Sequence, residues 1–489
     1  MKPRPFLAWL HSQLTSKSSA PRATVIAAAV CVSLVVLSFL GVAFSVVLGA
    51  EKRDSKVSPE LQPTKAARML GVLEVSDHDF RDSTQYSPLV VSECVVHMPQ
   101  HYAPCLASSM PFAVEFGEEL MYPSFRIAVP NFADDHSRMR FFDRMRSENL
   151  VETASEPSVL RGVLNDHSVT VGERHARNFI LRDVVVSAQG AQALRQQVCS
   201  AERIDLDVWP TYKNISESTM EISRAIIAAD QVPLSLYNLL DQSTRVLEQV
   251  WHLISPSTHI LVPSLIEKGS EADQLFQLLG IVAKPLSQDE TARFHELLIS
   301  CQESLIHPFL LIRLSERLGI WTKDQTPPQP KVVLYIDATS PDPGFAGSER
   351  VLIDVLAATL KGRGENERLV RWSDLTRKMT SLEDRIAFLR DQVSIIVGPS
   401  GDDMRFHRFA RRSTLVIELM SEARISLRTW EEARILEQNF WLFALRTDAN
   451  GRILLPETTL QSLSKIITEH LFQRSVAPSG ASKFYDWHF

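Results

Sequence analysis

The stretch Val393–Met420 reads VSIIVGPSGDDMRFHRFARRSTLVIELM, and its order of elements decides the fold. Val393-Ser394-Ile395-Ile396-Val397 is apolar and rich in β-branched residues, as a strand buried on both faces must be. Gly398-Pro399-Ser400-Gly401 stops it with residues that make turns and let a ligand approach the backbone. Asp402 and Asp403 stand where acids favour a helix start. Met404–Arg412 reads as a short helix and Thr414–Leu419 as a second buried strand. Strand, glycine turn, helix and strand make one βαβ unit. Ligands of such units lie outside the carboxyl ends of the strands, against a helix N-terminus, and a nucleotide diphosphate is the usual occupant.

The same run resembles the signature of the family-61 glycosyltransferases, which includes EGF-domain O-GlcNAc transferases and plant xylosyltransferases. There a buried strand leads into G-P-H-G-A-G-L-T-N, and a later strand ends V-I-E. Gly398, Pro399, Gly401 and Val416-Ile417-Glu418 match. Ser400 replaces the His, Asp402-Asp403 replace Ala-Gly, and Met404, Arg405 and Phe406 replace Leu-Thr-Asn. A second segment, Leu234–Val246, resembles the family's N-x-x-H-x-x-x-E-x-x-x-R helix. Leu234 and Tyr237 stand at the Asn and His places, and Asp241 and Arg245 at the acid and arginine. A third, Tyr335-Ile336-Asp337-Ala338 … Arg350-Val351-Leu352-Ile353-Asp354, resembles Y-I-x-R … R-x-I-x-N-E and keeps Arg350.

The resemblance implies an α/β protein of two Rossmann-like domains (GT-B-like) behind an N-terminal transmembrane helix. It implies an inverting hexosyl- or pentosyltransferase whose donor is a nucleotide sugar, a UDP-sugar, with a protein or glycan acceptor and no divalent metal required. Gly398, Pro399, Ser400, Gly401, Arg405, Glu418 and Arg350 are then donor-binding candidates. Tyr237 and Arg245 fall on the acceptor side, and Asp241 is the candidate general base for the acceptor hydroxyl. Glu418 ends a strand where an acid can take ribose hydroxyls.

Each candidate also has a plainer reading. Asp241 and Arg245, at i and i+4, make an ordinary helix ion pair. Arg405, Arg408 and Arg412, at i, i+3 and i+7, make a solvated basic face, and Arg350 a helix-surface arginine. Asp402 and Asp403 beside a diphosphate would repel it by a few kcal/mol at an effective dielectric near 20, about what one charge pair is worth there. His307 and His407 read as structural. Asp205-Leu206-Asp207 is a D-x-D of the kind that holds a cation, but the pattern arises readily by chance among 58 acids. The family pattern departs at enough polar positions that a catalytically inactive scaffold, or a membrane-anchored binding protein, is the competing expectation.

The rest of the chain sets the frame. A length of 489 residues allows two or three domains, and a net charge of −6 gives no basic field for nucleic acid. Residues 1–23 carry Lys2, Arg4, Lys17 and Arg22 with no acid, and read as a cytoplasmic tail. Residues 24–49 contain the uncharged run Val25–Leu48, about 36 Å as a helix, long enough for an uncleaved signal anchor rather than a signal peptide. Lys52, Arg53, Lys56, Lys65 and Arg68 follow it, so basic residues alone do not fix the orientation. Family resemblance points to a single-pass type II protein of the Golgi or endoplasmic reticulum membrane. Residues 50–88 read as a stem, 89–326 as an N-terminal α/β domain on the acceptor side, and 331–473 as a C-terminal α/β domain on the donor side. Residues 474–489 are a tail, either an ordered arm or a frayed end. Pro327-Pro328-Gln329-Pro330 ends the linker between the domains. Within the first domain, helical spacing is read between Ile222 and Ile254. Asn214-Ile215-Ser216 is a glycosylation sequon. Cys94, Cys105, Cys199 and Cys301 can form two disulfides by three pairings in an oxidising compartment, or remain buried thiols.

Overall fold

The computed structural model describes residues within 83–473, with interruptions of which 96–112, 151–161, 200–219, 228–235 and 322–330 are the longest. The expected tail, membrane anchor and proline linker, most of the stem, the sequon at Asn214, Asp205-Leu206-Asp207, Leu234 and Ala338 lie outside the described residues. Among the described residues no helix is long and apolar enough to cross a membrane.

The first half of the chain runs β1 (Leu89–Val95), β2 (Ala113–Tyr122), β3 (Phe125–Ala128), β4 (Asn131–Phe132), α1 (Asp135–Leu150), β5 (Gly162–Leu164), β6 (Ser168–Val171), β7 (Arg174–Ser187) and β8 (Met220–Ile227). A helical run, α2, follows, built from Leu236–Asn238, a π-helical turn Leu239–Ser243, and Thr244–Val250. Then come β9 (His259–Val262), α3 (Glu271–Leu278), β10 (Val282–Pro285), β11 (Thr291–Ser300) and α4 (Pro308–Arg317). Seven of these strands form one sheet in the order β1-β2-β7-β11-β8-β9-β10. It is antiparallel from β1 to β11 and parallel from β11 to β10, so this half is a mixed sheet rather than an all-parallel one. The helical reading from Ile222 is corrected: Ile222–Ile227 lie in β8, a central strand whose apolar run sits between β11 and β9. A short apolar run does not distinguish helix from strand by periodicity.

The second half runs β12 (Val332–Tyr335), α5 (Glu349–Arg363), β13 (Arg368–Arg371), α6 (Trp372–Lys378), α7 (Leu382–Gln392), β14 (Val393–Pro399), a 3₁₀ helix Asp402–Phe409, β15 (Leu415–Ser421), α8 (Arg428–Ile435), β16 (Asn439–Leu445) and α9 (Glu457–Gln473). Its strands are all parallel, in the order β13-β12-β14-β15-β16-β4. Alternate side chains feed opposite faces, as the pleat requires. Val333, Tyr335, Ile395, Val397 and Ile417 pack with α5 and α9, while Leu334, Ile396 and Val416 pack with α6, α7, the 3₁₀ helix and α8. The result is a doubly wound, three-layer α/β unit, and the order of strands reverses between β12 and β14.

The two halves are not separate beads. The core on the α8 side of the second sheet runs on into Leu240, Leu247 and Phe309 of the first half. Strand β4 crosses the expected boundary and forms the edge of the second sheet beside β16. Trp430 Nε1 donates to the Ala128 carbonyl at 2.9 Å, and Arg434 donates to the Val129 carbonyl at 3.0 Å, holding the chain that leads into β4. Cys199 and Cys301, 102 residues apart, are joined by a disulfide.

Candidate functional site

The site is assembled at the carboxyl end of the parallel sheet, where α2 of the first half meets the 3₁₀ helix and α8 of the second. Its two glycines do different work. A Cβ on Gly398 would sit 2.5 Å from the Ile336 carbonyl oxygen and 2.7 Å from the Ile336 Cβ, so this glycine exists because β14 and the end of β12 touch. A Cβ on Gly401 meets nothing within 4 Å, and its φ of 169° is ordinary extended backbone. Gly401 is the glycine that leaves room. Pro399 ends β14 and is buried, and pairing with β15 is carried one step further when Ser400 N donates to the Leu419 carbonyl at 3.0 Å.

Past this turn the chain winds as a 3₁₀ helix, not the α-helix expected from Met404. Three residues per turn stack positions i and i+3, which aligns Asp402, Arg405 and Arg408. Arg405 and Arg408 both reach Asp241, which lies in the π-helical turn of α2. Arg412, predicted on the same face, lies beyond the helix end, stacked 3.9 Å above the Trp321 ring and paired with Glu437.

Asp241 is the hub. Oδ1 accepts from Arg408 at 2.5 Å, Oδ2 accepts from Arg405, and Arg428 of α8 makes an ion pair with Oδ2 at 2.9 Å. Arg245 stands 3.9 Å away. Behind it Glu432, fully buried, takes Arg408 at 2.5 and 2.7 Å and Arg245 at 2.8 Å. Arg408, Arg245 and the approach of His407 at 3.7 Å outweigh burial and hold the Glu432 carboxyl well below the usual carboxylate range. Burial works against the charge on Arg408, but Glu432 and Asp241 more than offset it and raise its pKa. Arg245, with less compensation, is lowered by burial to about 10 and stays charged at neutral pH. Four guanidinium groups thus gather around two buried carboxylates. Only Arg405 and Arg428 keep appreciable exposure, at 19% and 37% of their side chains.

The two aspartates that replace the family's Ala-Gly do not both face a ligand. Asp402 is exposed and pairs with Arg405 at 3.0 Å. Asp403 is turned inward, accepting from Tyr237 Oη and from Trp372 Nε1, the latter at 3.3 Å. Burial and the bond to Asp403 raise the Tyr237 hydroxyl far above an ordinary phenol. Tyr237 and Trp372 both pack on Phe406, so Asp403 is the polar centre of an aromatic joint between the halves.

Glu418 is brought to the turn but not to solvent. It is fully buried and accepts from Thr429 at 3.1 Å, and its Oε2 has no hydrogen-bond partner. Burial raises its pKa to about 7, partly offset by the nearby Ser400 and Thr429 hydroxyls. Its place suits orienting Ser400 better than holding a ribose. Arg350 is exposed on the first turn of α5, against the other face of the sheet, and takes no part in the cluster's ion pairs. At the end of β12, Asp337 accepts from Arg371 at 3.0 Å and from Ser373 N at 2.8 Å. His307 caps α4 and is held neutral by burial, its pKa lowered to about 3.

Sequence reasoning missed Arg428 and Glu432. Their signal was an i, i+4 charge pair shortly after the strand ending V-I-E. No family model matches this chain, and no curated protein matches it.

Proposed function

We propose that the chain is a type II membrane glycosyltransferase of the secretory pathway, with a GT-B-like fold, that uses a nucleotide-sugar donor, a UDP-sugar. The observation that carries this reading is what gathers at the carboxyl end of the parallel sheet. The open turn at Ser400-Gly401 lies there beside a cluster of arginines, faced by an acid from the other half. Backbone N–H groups and partly exposed guanidinium groups are what a diphosphate needs. In this reading Arg405 and Arg428 meet the diphosphate, and Ser400, oriented by Glu418, borders it. The acceptor oxygen attacks the anomeric carbon and its proton passes to Asp241. The bond to the diphosphate breaks, and the nucleoside diphosphate leaves with that electron pair. The Cys199–Cys301 disulfide supports a lumenal location.

A second reading has its own support. Asp241 is clamped through both oxygens, Tyr237 is committed to Asp403, and Ser400 stands where the family has His. A donor-binding scaffold without transfer activity fits that arrangement. Calorimetry with UDP, followed by assay of sugar transfer and of donor hydrolysis over a panel of UDP-sugars, separates the two. Transfer or hydrolysis supports the enzyme; UDP binding without either supports the scaffold; no UDP binding removes both.

A further inference from the structure

We infer that Asp241 is an internal counter-ion that occupies the arginine cluster in place of a phosphate-bearing ligand, so that such a ligand enters only by displacing it. The inference rests on the reading of the cluster as an anion site and adds a regulation of that site.

Three arginines from two separate segments converge on this one carboxylate, and it is supplied by the opposite half of the chain. Removing it would not undo the cluster equally. Arg408 and Arg245 keep Glu432 at 2.8 Å or less. Among the described residues, the carboxylate left to Arg405 would be exposed Asp402, and that left to Arg428 would be Glu432 at 3.6 Å. These two are also the exposed members, so the charges released are those a ligand can reach. A phosphate group with two negative charges balances four guanidinium groups and the two remaining carboxylates, buried Glu432 and exposed Asp402, better than Asp241 with one. The segment carrying Asp241 is a π-helical turn inside an otherwise α-helical run, a local form frequent at functional sites. Asp241 and, one turn earlier, Tyr237 both tie α2 to the 3₁₀ helix, so when Asp241 leaves Arg405 and Arg408 the ion pairs across that contact are lost and the Tyr237–Asp403 bond remains.

The test uses the full chain and inorganic pyrophosphate, measured by calorimetry at low salt. Asp241→Asn should bind pyrophosphate about ten- to a hundredfold more tightly than the parent, because the competing charge is gone. Adding Arg428→Ala should cancel that gain. A folded Asp241→Asn that binds no tighter overturns the inference, and so does a gain that survives Arg428→Ala. Hydrogen exchange on the parent keeps the test open if Asp241→Asn does not fold. Pyrophosphate should speed exchange within α2; unchanged or slower exchange overturns the displacement. Pyrophosphate has neither sugar nor uridine. A gain with pyrophosphate but no UDP binding leaves the counter-ion standing without the transferase. UDP binding without any gain leaves the transferase standing without the counter-ion.

Discussion

Replacing Glu418 with Gln should make the protein more stable, and only above a defined pH. Burial raises the Glu418 carboxyl from its ordinary 4.5 to about 7. Between those values the folded state holds a proton that the unfolded chain has released, so stability falls as pH rises through the window. The penalty is absent below about pH 4.5 and complete above about pH 7, where two to three pKa units at 1.36 kcal/mol each amount to about 3 kcal/mol. Glutamine has no charge to bury, and its carbonyl can accept from Thr429 as Glu418 does. For a unit spanning Val75–Phe489, about 3 kcal/mol corresponds to a rise in Tm of roughly 3 °C. Thermal unfolding of parent and Glu418→Gln at pH 4.5, 6 and 8 reads this directly. The difference should be near zero at pH 4.5 and grow to its full size by pH 8. A difference that does not change with pH would refute the buried-carboxyl argument, and a variant less stable at pH 8 would show that Glu418 is needed ionised.

The glycine turn gives a paired test: Gly398→Ala should destabilise by about 1–3 kcal/mol through its clash with Ile336, whereas Gly401→Ala should change the stability read from urea unfolding by no more than about 0.5 kcal/mol. Asp403→Gly puts the glycine of the resembled signature there yet strands the partly buried Tyr237 hydroxyl and the buried Trp372 N–H, the latter worth about 1–3 kcal/mol when unpaired. It should therefore lower stability, with a shift in tryptophan fluorescence, rather than simply relieve repulsion toward a ligand.

The second half of the chain was legible because its strands are parallel and buried on both faces. Val332–Tyr335, Val393–Val397 and Leu415–Leu419 show as apolar runs with glycine or proline punctuation. The first half was less so. Its mixed sheet includes β7, a single strand that passes through Asp183 at φ 56°, and β8, whose apolar run passes for helix. At the site, Asp241, Arg245, Arg405 and Tyr237 were found and do come together, but their partners were not. Hydrophobic periodicity is blind to α8, because Arg428–Ile435 buries charge instead of carbon: Glu431, Glu432 and Arg434 are all buried. The inward turn of Asp403 was equally hidden, since it depends on a 3₁₀ winding that composition does not announce.

The most direct test of the central claim is calorimetric titration of the folded protein with UDP, alongside Gly401→Val and Arg405→Ala. Gly401 has open space around its Cβ position, so valine there leaves the fold intact and fills only the room assigned to a ligand. The account predicts saturable UDP binding by the parent, a sharp loss in Gly401→Val, and about a tenfold to hundredfold weakening in Arg405→Ala from a lost charge-assisted contact. UDP binding that is unchanged in both variants, or absent from the parent while its fold is intact by circular dichroism, would contradict it.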